Sequence, residues 1–144
     1  MFHGKSTDHC SGKLIMPLIK IEEQQPRTAD EKVRLVDLLF SVLRQTLGVS
    51  PNELQARYQT FEPEDFYPPA GTGEYLGIEI TLFAGRSLDV KRRLYGRIVA
   101  EVAQARQIDP SRILVLLREE PLDNWGLHGG RAATDLKFDY AIAI

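Results

Sequence analysis

Cysteine occurs once in this 144-residue sequence, at Cys10, so an intrachain disulfide framework is excluded and nothing points to secretion. Histidine is nearly as scarce: His3 and His9 fall in the first ten residues, and His128 stands alone beyond them. No metal-ligand spacing appears. No apolar run approaches the ~18 residues of a membrane span. Neither sign of charge dominates: the formal net charge is −2, which gives no general support to a nucleic-acid or anionic-membrane partner. There is no phosphate-binding loop and no dinucleotide fingerprint, and the "GTG" of Gly71 to Gly73 follows Pro68-Pro69 and reads as a loop. A serine-histidine-acid triad would depend on His128, and no nucleophile-elbow motif accompanies it.

What is present suits one globular domain: 43% hydrophobic and 26% charged residues, in a chain long enough to bury a proper core. The opening "MFHGKSTDHCSGKLI" is polar and aperiodic, without the apolar stretch of a signal peptide. Residues 1–15 are expected to be a leader: a disordered tail, a tag, or a start assigned upstream of the true one. His3, His9 and Cys10 on such a segment make a poor frame for a metal. The domain proper is expected over residues 16–144.

That domain is written twice. "IKIEEQQPRTADEKVRLV" from Ile19 aligns with "IEITLFAGRSLDVKRRLY" from Ile78, at an offset of 59 residues. Ile21 meets Ile80, Arg27 meets Arg86, Thr28 meets Ser87, Asp30 meets Asp89 and Lys32 meets Lys91. Further on, Pro51 meets Pro110, and the acidic, aromatic turn "FEPEDF" (Phe61 to Phe66) matches "EEPLDNW" (Glu119 to Trp125). The repeats run over about 17–66 and 76–125.

Each unit reads β-α-β. "PLIKI" alternates as a half-buried strand does. Thr28-Ala29-Asp30-Glu31 is a capping box, Gly48 is placed to end the helix, and Val33, Val36, Phe40, Leu43 and Leu47 recur at helical spacing. "ARYQTF" is the return strand. In the second unit "LGIEITLF" is a strand, Ser87 a cap, and Val90, Leu94, Ile98 and Val102 a helix face. The nearly continuous apolar run "ILVLLRE" predicts a buried central strand. The fold class is therefore α/β (α+β): two β-α-β units giving a four-stranded sheet with two helices on one face. The other face needs cover, and oligomerisation is the natural source. "LKFDYAIAI" alternates strictly and predicts a C-terminal strand over about 135–144, suited to a neighbouring subunit's edge.

The two units, the opening "MPLIKI", the "AGRS" before the second helix and the "NWG" after the fourth strand resemble the tautomerase superfamily, and within it the fused-repeat branch that includes malonate semialdehyde decarboxylase. The resemblance covers about residues 16–133. It implies a homotrimer, no organic cofactor or metal, a small carboxylate substrate, a cytoplasmic location, and an enzyme whose catalyst is the amine of a proline exposed by loss of the preceding Met.

The resemblance makes Pro17 that catalyst and explains the Met16-Pro17 pair. A terminal α-amino group titrates at about 7.7–8.0, and burial or a nearby cation lowers it, giving a base near neutrality that can take a proton from beside a carbonyl and return it elsewhere. An internal proline nitrogen is an amide with no such lone pair. In the chain as written Met16 acylates Pro17, so activity requires Pro17 to become the mature N-terminus; otherwise Pro17 is a strand-opening proline.

Arg86 matches an arginine of the family's active site and would pair with a carboxylate and steady a developing enolate. Trp125 and Leu127 match pocket-wall positions, and Arg131, after Gly129-Gly130, matches an arginine able to hold a carboxylate or tie subunits together. Tyr58 would donate a hydrogen bond to substrate oxygen. Core packing suits Trp125 as well as a pocket wall does and suits Tyr58 better than a substrate contact, and a surface loop suits His128. Two departures stand out. Ala56 replaces the aspartate that precedes "RYQ" in the decarboxylase pattern, with Glu53 or Asp65 as candidate substitutes. Ala84 replaces a second arginine. The expected activity is thus proton transfer on a small 2-oxo or enol acid. A decarboxylase or hydratase of a 3-oxo acid, or a non-catalytic oligomeric protein on the same scaffold, are the alternatives.

Overall fold

Alternation in "LIKIEE" and in "LGIEITLF" produces the two central strands, β1 (Leu18–Glu23) and β3 (Leu76–Phe83). The fold is taken from a computed structural model that describes residues 17–71 and 73–136. The expected leader lies outside the described residues, as does the expected C-terminal strand from residue 137 onward. The remaining elements are α1 (Ala29–Leu47), β2 (Gln55–Thr60), α2 (Leu88–Arg106), β4 (Ile113–Glu120) and a small hairpin of β5 (Gly126–Leu127) and β6 (Arg131–Ala132).

The four long strands form one mixed sheet in the order β2-β1-β3-β4. β1 runs parallel to β2 and β3 runs parallel to β4, while β1 and β3 are antiparallel in the middle. Each β-α-β unit is therefore one half of the sheet. Ile19, Ile21, Ile78 and Ile80 are fully or almost fully buried beneath the helices, with Leu39, Leu43, Leu94 and Ile98 facing them in one core.

Local chemistry sets the helix ends. Thr28 Oγ1 accepts the Glu31 N–H at 3.1 Å, and the Glu31 carboxylate accepts the Thr28 N–H at 2.9 Å, closing the capping box. Gly48 ends α1 at φ +72°, a left-handed conformation that costs glycine nothing, and its N–H returns to the Arg44 carbonyl. Ser87 accepts the Val90 N–H at the head of α2. Pro51–Glu53 and Pro110–Arg112, matched by the repeat, are both 3-10 turns entering the return strands.

Two expectations need correction. The inward face of α1 is Leu35, Leu39, Val42, Leu43 and Leu47, whereas Val33 is 56% exposed. Val36 and Phe40 pack only along its margin. This helix carries two overlapping stripes, and tertiary packing selected the leucine-rich one. α2 has a single stripe, and Val90, Leu94, Ile98 and Val102 are its buried residues. The second correction concerns β4, which among the described residues is an edge strand, as is β2. Its run is apolar on both faces because Ile113, Val115 and Leu117 turn to the core while Leu114 and Leu116 lie on the helix-free face, 48% and 44% exposed.

Among the described residues, no helix is long and apolar enough to cross a membrane.

Candidate active site

Pro17 is buried at the head of β1, where its carbonyl accepts the Gln55 N–H of β2 at 3.2 Å. Proline is tolerated here because the position precedes the ladder and asks for no N–H. The antiparallel register sets Leu18 beside Thr81, so Pro17 stands level with the end of β3. There the chain leaves the sheet through Ala84-Gly85, with Gly85 at φ +137°, and turns Arg86 inward. Arg86 is only 6% exposed, and its Nη1 donates to the Phe83 carbonyl at 2.9 Å.

β4 contributes the third side. Phe83 pairs with Glu120, and the Glu120 carbonyl accepts both the Ala84 N–H at 3.0 Å and the Trp125 Nε1–H at 3.3 Å. The rings of Phe83 and Trp125 meet edge to face, 5.3 Å apart. Phe83 thus touches both the arginine, through its carbonyl, and the tryptophan, through its ring. On the first turn of α2, Lys91 pairs with Glu119 of β4 at 2.5 Å. One end of the sheet therefore gathers a buried proline, a buried guanidinium and an aromatic wall. A guanidinium beside an aromatic wall suits a small planar anion.

Residues 55–128, just over half of the chain, match the family described as tautomerase enzyme. The chain belongs to the tautomerase family. Solved structures agree in fold. A fused 4-OT wild-type symmetric trimer is 22% identical with TM-score 0.75, over 81% of this chain and 96% of that one. A second fused 4-OT symmetric trimer is 19% identical with TM-score 0.76, over 83% and 99%. FG41 malonate semialdehyde decarboxylase, inhibited by 3-bromopropiolate, is 20% identical with TM-score 0.68, over 81% and 92%. The two helices and the four-stranded mixed sheet of paired β-α-β units are the tautomerase architecture.

The other residues picked out in this tautomerase sequence divide between the two ends of the sheet. Leu127 is half-buried against the core, and Arg131 is exposed opposite it in the β5–β6 hairpin. The hairpin grows directly out of the Trp125 segment, since the Ala133 N–H donates to the Trp125 carbonyl at 3.0 Å and adds a rung to its ladder. His128 sits at the hairpin turn with φ +48°. Glu53 is fully buried in the turn that leads into β2, two residues before the Gln55 that binds Pro17, and its carboxylate accepts the Ser50 N–H. Asp65 is exposed in the 3-10 turn Pro63–Asp65 that follows β2, at the other end of that strand. Of the two candidate substitutes for the acid missing at Ala56, Glu53 is the one at the proline end.

Tyr58 is not brought to Pro17 within the chain. Its hydroxyl donates to Glu23, six residues along β1 from Pro17 and so roughly 20 Å away. Arg106, at the end of α2, donates to both: Nη2 lies 2.8 Å from the Tyr58 hydroxyl and Nη1 3.2 Å from Glu23 Oε2. Arg27 adds an Nε contact of 3.4 Å to Glu23 and pairs also with Glu74 and Glu31. Glu23 is 1% exposed, and burial together with the hydrogen bond to Glu23 pushes the Tyr58 hydroxyl up to about 12. Sequence reasoning placed Arg27 as the repeat mate of Arg86 but missed Glu23 and Arg106. A signal was available: Glu23 continues the inward alternation of Ile19 and Ile21, a position where a carboxylate demands partners.

Proposed function

We propose that this tautomerase-family protein moves a proton on a small 2-oxo or enol acid, with the Pro17 amine as general base and acid once Pro17 is the mature N-terminus. Arg86 holds the substrate carboxylate and stabilises the enolate, and Trp125 walls the site, with Leu127 and Arg131 on the hairpin that follows it. The observation that carries this reading is the placing of Pro17 in a buried position level with the Arg86 loop. Burial and a nearby cation each lower an amine's pKa toward neutrality, and the burial of Pro17 with the Arg86 loop level with it supports that role. Ala56 and Ala84 favour proton transfer over decarboxylation, because an acid and a second guanidinium of the decarboxylase pattern are missing.

Three copies assemble through the helix-free sheet faces, covering Leu114 and Leu116. The trimeric state of the fused 4-OT neighbours supports this assembly.

An acetylenic acid tests the site chemically, because it joins a carboxylate for Arg86 to an electrophilic carbon for the amine. The form that begins at Pro17 is incubated with 3-bromopropiolate and its peptides are mapped by mass. The expected result is a single adduct on Pro17, greatly slowed in Arg86→Ala. An unlabelled Pro17 under saturating reagent would overturn the assignment.

A further inference from the structure

The antiparallel centre of the sheet relates the two repeats by a local two-fold axis that passes between Lys20 and Glu79, repeat mates that face each other in the β1–β3 register. Carrying the Pro17 site across that axis gives a second location. Leu76 takes the place of Pro17, Arg27 that of Arg86, and Glu23 that of Leu82. The register agrees: Leu76 pairs with Glu23, as Pro17 stands beside Leu82.

The two locations are filled differently. Leu82 is an inert side chain, and Arg86 leans on a main-chain carbonyl. At the other location Glu23 carries a carboxylate into the core, where it meets Arg27 at 3.4 Å, Arg106 at 3.2 Å and the Tyr58 hydroxyl. Two guanidinium groups and a phenol converging on one buried carboxylate are the donor set of a small-acid binding site. A cavity of about 190 Å³, lined by Glu31, Arg34 and Arg106 among others, opens beside it between the helices.

We propose that the first repeat contains a carboxylate-binding site occupied from within by Glu23, and that it accepts a free small monocarboxylate when the Glu23 side chain is shortened. The parallel with a substrate site rests on the proposed role of Arg86; the donor set itself does not.

Acetate replaces the atoms lost in Glu23→Ala, so stability in acetate is the test. Glu23→Ala should melt roughly 10 °C below wild type in chloride, the usual scale for breaking a buried ion pair. Acetate should restore at least half of that loss, saturably. Acetamide at the same concentration, and sodium chloride at the same ionic strength, should restore none. Arg106→Ala in the Glu23→Ala background should abolish the rescue. Arg86→Ala in that background should leave it intact, which separates this inference from the assignment of the proline site. Equal melting in acetate and chloride would overturn the proposal. If Glu23→Ala is unfolded in both salts, Glu23→Gln decides. Its amide fills the space without charge, so it should melt well below wild type and ignore acetate, and wild-type stability would refute an anion site.

Discussion

Lys20 and Glu79 stand opposite each other across the central strand pair, occupy the same position in their respective repeats, and form an ion pair at 3.5 Å. The relationship turns a sequence repeat into a spatial one. It also shows where the halves have parted: the ends of β1 and β3 that symmetry would make equivalent hold Pro17 with Arg86 at one and Glu23 with Arg27 at the other. The two halves of a single chain are thereby no longer interchangeable.

Arg86→Ala in the Pro17-start form should lower kcat/KM for an acidic enol substrate by about 10²–10³-fold, the scale for losing a charged stabiliser of a developing oxyanion. Turnover of a neutral enol should change far less. Arg86→Lys should recover only part of the loss, since an ammonium cannot make the bidentate pair. Steady-state kinetics on matched acidic and neutral substrates provides the comparison.

Stability at high pH should report on Tyr58. Its hydroxyl is raised to about 12 in the fold against about 10 unfolded, so the folded state keeps a proton that the unfolded state gives up between those values. The contribution is complete below pH 10 and declines as pH rises toward 12. Urea midpoints across that window should fall more steeply for wild type than for Tyr58→Phe. Parallel declines would mean that Tyr58 carries no such shift.

The cap residues carry a smaller and more local prediction. Thr28→Ala removes one half of the capping box and should cost about 1 kcal/mol. Gly48→Ala meets no steric obstacle but must hold φ +72°, and should cost a similar amount. Urea unfolding of each variant measures both.

Leu116 is 44% exposed on the helix-free face, next to Arg118 and Glu79, which pair with each other. Leu116→Lys places an ammonium there and should shift sedimentation from trimer toward monomer while far-ultraviolet circular dichroism is retained. An unchanged sedimentation coefficient would remove that face from the assembly.

Much of this fold can be read from residue order because each element is amphipathic by itself. "LGIEITLF" gives β3 with both ends correct, and α2 has one possible apolar stripe. The chain is less informative where two readings share one pattern. In α1 the stripes containing Val33 and Leu35 overlap, and only contact with the sheet separates them. In β4 an apolar run on both faces looks the same whether the strand lies inside the sheet or at its edge. For the candidate site, the repeat and the family motifs single out Pro17 and Arg86 from residue order. Tyr58 is singled out too, but its partners are not, because nothing local shows that Glu23, 35 residues before Tyr58 and 83 before Arg106, lies between them.

The account depends most on the Pro17 amine. The measurement that tests it is ketonisation of phenylenolpyruvate by two purified forms, one beginning at Pro17 after removal of Met16 and the other carrying residues 1–16. The account predicts turnover by the first form alone, lost again in its Pro17→Ala variant. Equal turnover by both forms would contradict it, because an acylated proline nitrogen has no proton to exchange.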